Sequence, residues 1–478
     1  MQSYPDQFIG GEWRKGQGTA ELSNYNPYTG ELLYKYQSAG PKDIDDAYKA
    51  AEAAQKDWGP LPPAEKQAYM GKIVDAIKSM QDEVVAVMTE EGGSARPKAE
   101  FEFNTSLAIL AEDSHFPYMM DGKIMPSNIP GKHNFIFKKP KGVIGVIAPW
   151  NVPLLLALRS VIPAIATGNA VVLKPASDTP ASAFLIGKFS ELAGLPKGLI
   201  NVIAGRGSEI GDAIVNHPIP SLISFTGSTP VGRHIGEVAT AMLKTVSLEL
   251  GGNNAMIVLD DADVVRAAKA AAFGAFFHQG QVCMALNRII VTDGAHDRFT
   301  EAFVEETKHL PVGDPADPAT FIGPIISQAQ VDSIEGYIRA TRDAGATVVL
   351  EGHTDGRVIH PWLFDDVTND MPGAANEVFG PVCCIIRAHS EAEAIALAND
   401  TQYGLSGSVF TTDLYHGMQV ARQVRSGMVH VNDQSINDEP HVMFGGEKAS
   451  GLGRFNAQWV VEKFTTQQWV SVQADYRF

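Results

Sequence analysis

Cysteine is scarce in this chain: there are three in 478 residues, and two of them, Cys383 and Cys384, are adjacent. So few thiols cannot form a disulfide framework for a chain of this size, and a reducing, cytoplasmic setting is expected. Basic charge is also in short supply. Lys and Arg number 38 against 55 Asp and Glu, which gives a net charge of −17 and a pI near 5.2. That balance argues against nucleic acid as a partner, because phosphates require a basic face. The 13 histidines show no ligand spacing such as His-Glu-x-x-His, so no metal is expected. The stretch "MQSYPDQFIGGEWRKG" has no basic segment followed by an apolar run, so no secretory signal is expected. A membrane-length apolar run is missing too. Three prolines, Asn151 and Arg159 break the most apolar region, "VIGVIAPWNVPLLLALRSVIPAIATG" (143–168). A buried strand–helix pair fits it better than a membrane span.

The chain is too long for one core, and its 45% hydrophobic and 19% charged residues fit an ordinary globular protein. Helical spacing marks 43–59 and a longer pattern over 62–93, so helices are expected first. From 143 to 252 short β-branched runs ("VIGVIA", "AVVLKP", "INVIAG", "LISFTG", "TVSLEL") alternate with helical connections. Continuous apolar strands separated by helices predict a parallel sheet covered on both faces. A second alternating series begins near 254 and runs through "NRIIVTD", "ATVVLEG" and "PVCCIIRA" to "MVHVND", predicting a second α/β domain. The segments 121–142 and 464–473 ("FTTQQWVSVQ") read as extended chain left over from both domains.

A doubly wound sheet binds ligands at the carboxyl ends of its strands. Those ends carry "PWN" (149–151), "KPAS" (174–177), "TGSTPVG" (226–232) and "LELGG" (248–252). No Gly-x-Gly-x-x-Gly follows the first strand. Gly227 and Ser228 instead stand at a helix start, where free N–H groups can hold a phosphate or serve as a plain cap. Lys174 can reach ribose hydroxyls or a 2′-phosphate. A carboxylate after the second strand would bind a 2′-hydroxyl and repel a 2′-phosphate; Ser177 does neither strongly, so NAD and NADP both remain open.

The third cysteine, Cys283 in "GQVCMALNR" (280–288), is a small core residue or a nucleophile. A free thiol is only a few per cent thiolate at neutral pH, so a nucleophile needs help. Glu249, followed by two glycines, offers a general base for the thiol or for water. Asn151 offers an amide N–H₂ to an oxyanion, worth about 3–4 kcal/mol per donor at a tetrahedral intermediate. His278, five residues before Cys283, admits a competing cofactor-free thiol–histidine hydrolase, and a non-catalytic protein on the same fold is the third reading.

Together these pieces resemble the aldehyde dehydrogenase superfamily almost end to end. The carrying motifs are "FIGGEW" (8–13), "APWNVP" (148–153), "GNAVVLKPAS" (168–177), "SFTGSTPVG" (224–232) and "LELGGNN" (248–254). They continue with "GQVCMALNR", "EVFGPV" (377–382), "YGLSGSVF" (403–410) and "FGGEKASGLGR" (444–454). The resemblance implies two Rossmann-type α/β domains: a cofactor domain over 1–120 and 142–250, and a catalytic domain over 251–457. It also implies oligomerisation strands over 121–141 and 458–478, making a homodimer or homotetramer. It implies that Cys283 attacks the aldehyde, Asn151 holds the oxyanion and Glu249 activates water to release the acid. Ile147, Pro149, Trp150, Lys174, Ser177, Gly227, Ser228, Glu377 and Phe379 would bind NAD or NADP. Branches that pass the acyl group to coenzyme A typically lack the base, so Glu249 favours hydrolysis. The segments 277–284 and 431–446 are similar to the benzaldehyde and vanillin dehydrogenase branch. Val152, Leu156, Val282, Met284 and Phe444 would line an apolar substrate tunnel, suited to aromatic or to aliphatic aldehydes. Met443 departs from the family's usual proline before Phe-Gly-Gly.

Overall fold

A computed structural model describes residues 7–474. The expected domain ranges also take in 1–6 and 475–478, which lie outside the described residues. Two parallel-cored sheets dominate, with a small antiparallel sheet beside them. The first sheet has eight strands. Its centre runs Ile200–Ile203, Ala170–Lys174, Val143–Ile147, Leu222–Thr226, Thr245–Glu249, all parallel and in the expected places. Every residue of Val143–Ile147 and Ala170–Lys174 is buried, which is why they read as continuous apolar runs. Strand order reverses at Val143–Ile147, between Ala170–Lys174 on one side and Leu222–Thr226 on the other. The carboxyl ends of these three strands therefore open a crevice at the switch point.

The second sheet has seven strands, with Leu286–Thr292 central between Asn254–Val258 and Val382–Ala388. The segment Gly451–Leu452 returns to the first sheet and pairs antiparallel with Leu248 and Glu249. The third sheet joins Lys123–Met125, Lys132–Pro140 and Thr465–Gln473, the extended segments read from sequence. Its apolar side chains stand out: Ile124 is 77%, Trp469 64% and Val472 50% exposed. Among the described residues no helix is long and apolar enough to cross a membrane.

Two expectations need correction. Helices do not come first: Gln7–Ile9, Glu12–Arg14, Glu21–Tyr25 and Leu32–Gln37 precede them as strands. Strands of three to six residues carry too few periodic positions to be seen, and Gln7–Ile9 is a strand because it pairs antiparallel with Ile200–Ile203. The pattern over 62–93 is two helices, Pro63–Ser79 and Gln81–Gly92. Buried Met70, Ile73, Ile77, Met80 and Val84 keep helical spacing across the break at Met80, so periodicity does not register it.

Candidate active site

The loop after Val143–Ile147 is held from below by a buried ion pair. Lys98 and Glu102, one turn apart on helix Arg96–Asp113, pair at 2.6 Å with 3% and 0% side-chain exposure. Lys98 Nζ donates to the Asn151 carbonyl at 2.8 Å. Glu102 Oε1 accepts from the Leu154 and Leu155 amides at 2.9 and 3.1 Å, an anion seated on the free N–H groups of helix Pro153–Ala166. With its backbone so fixed, Asn151 donates through Nδ2 to the Gln281 carbonyl at 2.9 Å, two residues before Cys283.

Cys283 sits on an equally constrained turn. After helix Val264–Phe276 the chain enters a 3₁₀ turn in which His278 and Gln279 have φ of 52° and 58°. Left-handed non-glycine residues in succession cost strain, which the surroundings must hold. Gln279 Nε2 donates to the Pro324 carbonyl at 2.9 Å, and Gln281 Oε1 accepts from the Ile326 amide at 3.1 Å. Downstream, Asn254 Nδ2 donates to the Cys283 and Ala285 carbonyls, both at 2.8 Å. A Cβ at Gly252 would lie 2.3 Å from the Cys283 carbonyl, so only glycine lets the end of the Glu249 segment pass this close. Cys283 is half-buried, whereas Cys383 and Cys384 are buried in the second sheet. Burial, Glu377 and Glu249 push the Cys283 thiol up to about 12, while Arg159 opposes them.

Glu249 ends its strand 4% exposed, and neither carboxylate oxygen has a hydrogen-bond partner. Burial raises it to about 8 against the pull of Lys463, Arg159 and Arg454. Glu377 is raised by burial to about 7 but is held, its Oε1 accepting from the Gly252 amide at 3.0 Å. Glu377 and Glu249 thus both act on the Cys283 thiol at the seam between the two sheets.

A cleft of about 750 Å³ opens over this seam. Ile147, Pro149, Trp150, Asn151 and Leu156 line one wall, Lys174 and Ser177 the next. Gly227, Ser228, Cys283, Glu377 and Phe379 complete the residues expected there. Trp150 and Phe379 meet edge to face at 5.5 Å. Ser228 is the N-cap of helix Thr229–Ala241 but makes no side-chain cap bond. Lys174 is buried, is lowered to about 8 by that burial, and donates to the Pro175 carbonyl at 2.7 Å. A Cβ at Gly251 would strike Glu377 Oε2 at 2.1 Å, so the cradle around the carboxylate depends on glycine. An apolar cleft ending on a helix N-terminus, with lysine and glutamate at fixed stations, fits a dinucleotide.

Val282, Met284 and Phe444 pack in the first core, with Val152 half-buried beside Asn151. They do not line the cleft, which among the five expected tunnel residues Leu156 alone reaches. His278 makes no hydrogen bond to the thiol. It is buried with both ring nitrogens unpartnered, and burial and Lys98 hold it neutral.

Several contributors escaped the sequence reading: the Lys98–Glu102 pair, Arg159 and Lys463. Arg159 lies on a helix whose every residue is buried, pairs with Asp438, and stands 4.2 Å over the Phe444 ring. The signal was present, since one arginine in "PLLLALRSVIPAIA" has to be neutralised by something distant in sequence.

Comparison with known proteins agrees with this geometry. The aldehyde dehydrogenase family description matches residues 13–470. A vanillin dehydrogenase of Corynebacterium glutamicum is 48% identical over 468 residues, 97% of each chain. The benzaldehyde dehydrogenase YfmT of Bacillus subtilis is 45% identical over 98% of this chain and 97% of its own. The crystal structure of an NAD-dependent benzaldehyde dehydrogenase from Corynebacterium glutamicum superposes with a TM-score of 0.91 at 44% identity, covering 99% of both chains. On fold, motif order and site geometry together, the chain belongs to the aldehyde dehydrogenase family.

Proposed function

We propose that this protein oxidises aromatic aldehydes of the benzaldehyde and vanillin type to carboxylic acids, with Cys283 as nucleophile. The observation that carries the reading is that Cys283 and Asn151 line the switch-point cleft together while the buried Glu249 acts on the same thiol. The names of the relatives support the aromatic substrate and NAD as cofactor. We assign the cofactor domain to 1–120 and 142–250, the catalytic domain to 251–457 and oligomerisation strands to 121–141 and 458–478. The exposed apolar side chains of the third sheet support a homodimer or homotetramer, and three free thiols support a cytoplasmic setting.

Cys283 Sγ, as thiolate, bonds to the aldehyde carbon, and the carbonyl pair moves onto oxygen. Asn151 Nδ2 and the Cys283 amide stabilise that oxyanion, held in place by the Lys98–Glu102 scaffold. Trp150, Ser228, Lys174, Glu377 and Phe379 hold the dinucleotide, with Ile147, Pro149, Ser177 and Gly227 shaping its bed. A bound oxidised nicotinamide would supply the hydride acceptor, and its positive charge would favour the Cys283 thiolate. The thiohemiacetal loses that hydride and becomes a thioester on Cys283. Glu249 then takes a proton from water as the water oxygen bonds to the acyl carbon, and the C–S bond breaks with its pair returning to Sγ. Val152, Val282, Met284 and Phe444, which lie outside the dinucleotide cleft, are assigned to the apolar wall for the ring, with Leu156 on the cleft side. The test is kcat/KM for benzaldehyde, vanillin, hexanal and acetaldehyde with NAD and with NADP. Preference for hexanal over both aromatic aldehydes overturns the substrate assignment, and turnover in Cys283→Ala overturns the mechanism.

A further inference from the structure

Glu249 is a buried carboxyl that no hydrogen bond stabilises, yet a general base has to be ionised. Three cations face it from three elements: Arg159 from helix Pro153–Ala166, Arg454 from the loop after Gly451–Leu452, and Lys463 from the end of helix Ala457–Lys463. Two of them are already engaged. Arg159 pairs with Asp438 and also faces the buried Asp113. Arg454 donates to the Gly446 and Gly453 carbonyls at 2.8 and 2.9 Å and pairs with Glu447.

Lys463 is different. Its Nζ is buried with no hydrogen-bond partner and lies 2.9 Å from the centroid of the Phe455 ring. A π-face steadies an ammonium group without accepting its proton; burial pulls Lys463 well below the usual lysine range, and the nearby Glu249 is what opposes that loss of charge. Its direction is also fixed. A Cβ at Gly453 would lie 3.7 Å from Lys463 Cε and 3.5 Å from Ser247 Oγ. Ser247 and Glu249 are two apart on one strand and share a face, so the lysine runs along the face that carries the base. Around Lys463 the charged groups are Glu249, Arg159 and Arg454, and Glu249 is the one anion among them.

We infer that Lys463 is the counter-charge of Glu249, a positioning residue that keeps the buried carboxylate ionised for deacylation. The inference rests on the proposed role of Glu249 as base. Of the cations opposing the rise of Glu249, Lys463 acts most strongly.

The test compares Lys463→Met, Lys463→Arg and Glu249→Gln with the full-length enzyme under saturating NAD and benzaldehyde, reading the first burst of reduced cofactor and the pH profile of the steady rate. In Lys463→Met the acid limb moves to higher pH by about one unit and the steady rate at pH 7 falls about tenfold. Its burst is retained, and Lys463→Arg restores the limb. A Met variant whose limb stays at the wild-type pH, at whatever rate, overturns the inference, because a purely structural lysine lowers rates without moving that limb. Glu249→Gln separates the two failures. Wild-type steady turnover there removes the base itself, whereas a burst without turnover leaves the base intact and puts Lys463 alone on trial.

Discussion

The two sides of Cys283 are built on opposite principles. On the cleft side the charged groups are satisfied before anything binds: Glu377 accepts from the Gly252 amide and Lys174 donates to the Pro175 carbonyl. On the far side, polar atoms of Ser247, Glu249, Asp113 and Lys463 are buried without hydrogen-bond partners. Satisfied groups make a rigid, selective bed for a ligand. Unsatisfied ones interact through charge alone, which raises the free energy of the resting state and leaves protons poised to move. Binding and proton chemistry are thereby kept apart, with the thiol between them.

Substitutions on either side test that division. The largest effect is expected at the boundary: Cys283→Ala abolishes aldehyde oxidation while NAD binding, followed by quenching of tryptophan fluorescence, survives. Asn151→Ala lowers kcat by about 10²–10³, the cost of one oxyanion donor, with little change in cofactor affinity. Breaking the scaffold below acts on stability instead. Glu102→Ala strands a buried lysine and costs about 3–5 kcal/mol in denaturant unfolding. The pH dependence is next in size. The working form of Glu249 is the carboxylate and its folded value is about 8, so below that value the steady rate falls as protons bind, and above it the rate levels off. A steady rate flat from pH 6 to 9, with deacylation limiting, would contradict this. The smallest effect is expected on the satisfied side, where Ser228→Ala raises KM for the cofactor a few-fold and leaves kcat unchanged, because its side chain caps nothing. If cleft-side changes instead lowered kcat alone, the division would not hold.

Much of the site was legible in the sequence because its parts lie at strand ends. "VIGVIAPWN", "AVVLKPAS" and "LISFTGS" announce both a buried parallel strand and the residues that follow it, and those residues meet at one crevice. The paired glycines after Glu249 likewise point to close backbone passage, and the Gly252 contact with Cys283 is the result. Short N-terminal strands stayed hidden, since three residues have no period. The helix break at Met80 stayed hidden because the apolar spacing runs straight through it.

Local composition and order predicted a parallel α/β architecture and the strand-end segments that line the cleft, whereas the grouping of Cys283, Asn151 and Glu249 came from the resemblance of whole motifs. Strands and their flanking turns depend on residues a few positions apart. Which buried charges face one another was decided only by tertiary structure. Arg159, Glu249 and Lys463 are scattered along the chain, and burial removes the water that would otherwise screen them. A side chain's neutrality belongs to its neighbours in space, and no reading of adjacent residues contains it.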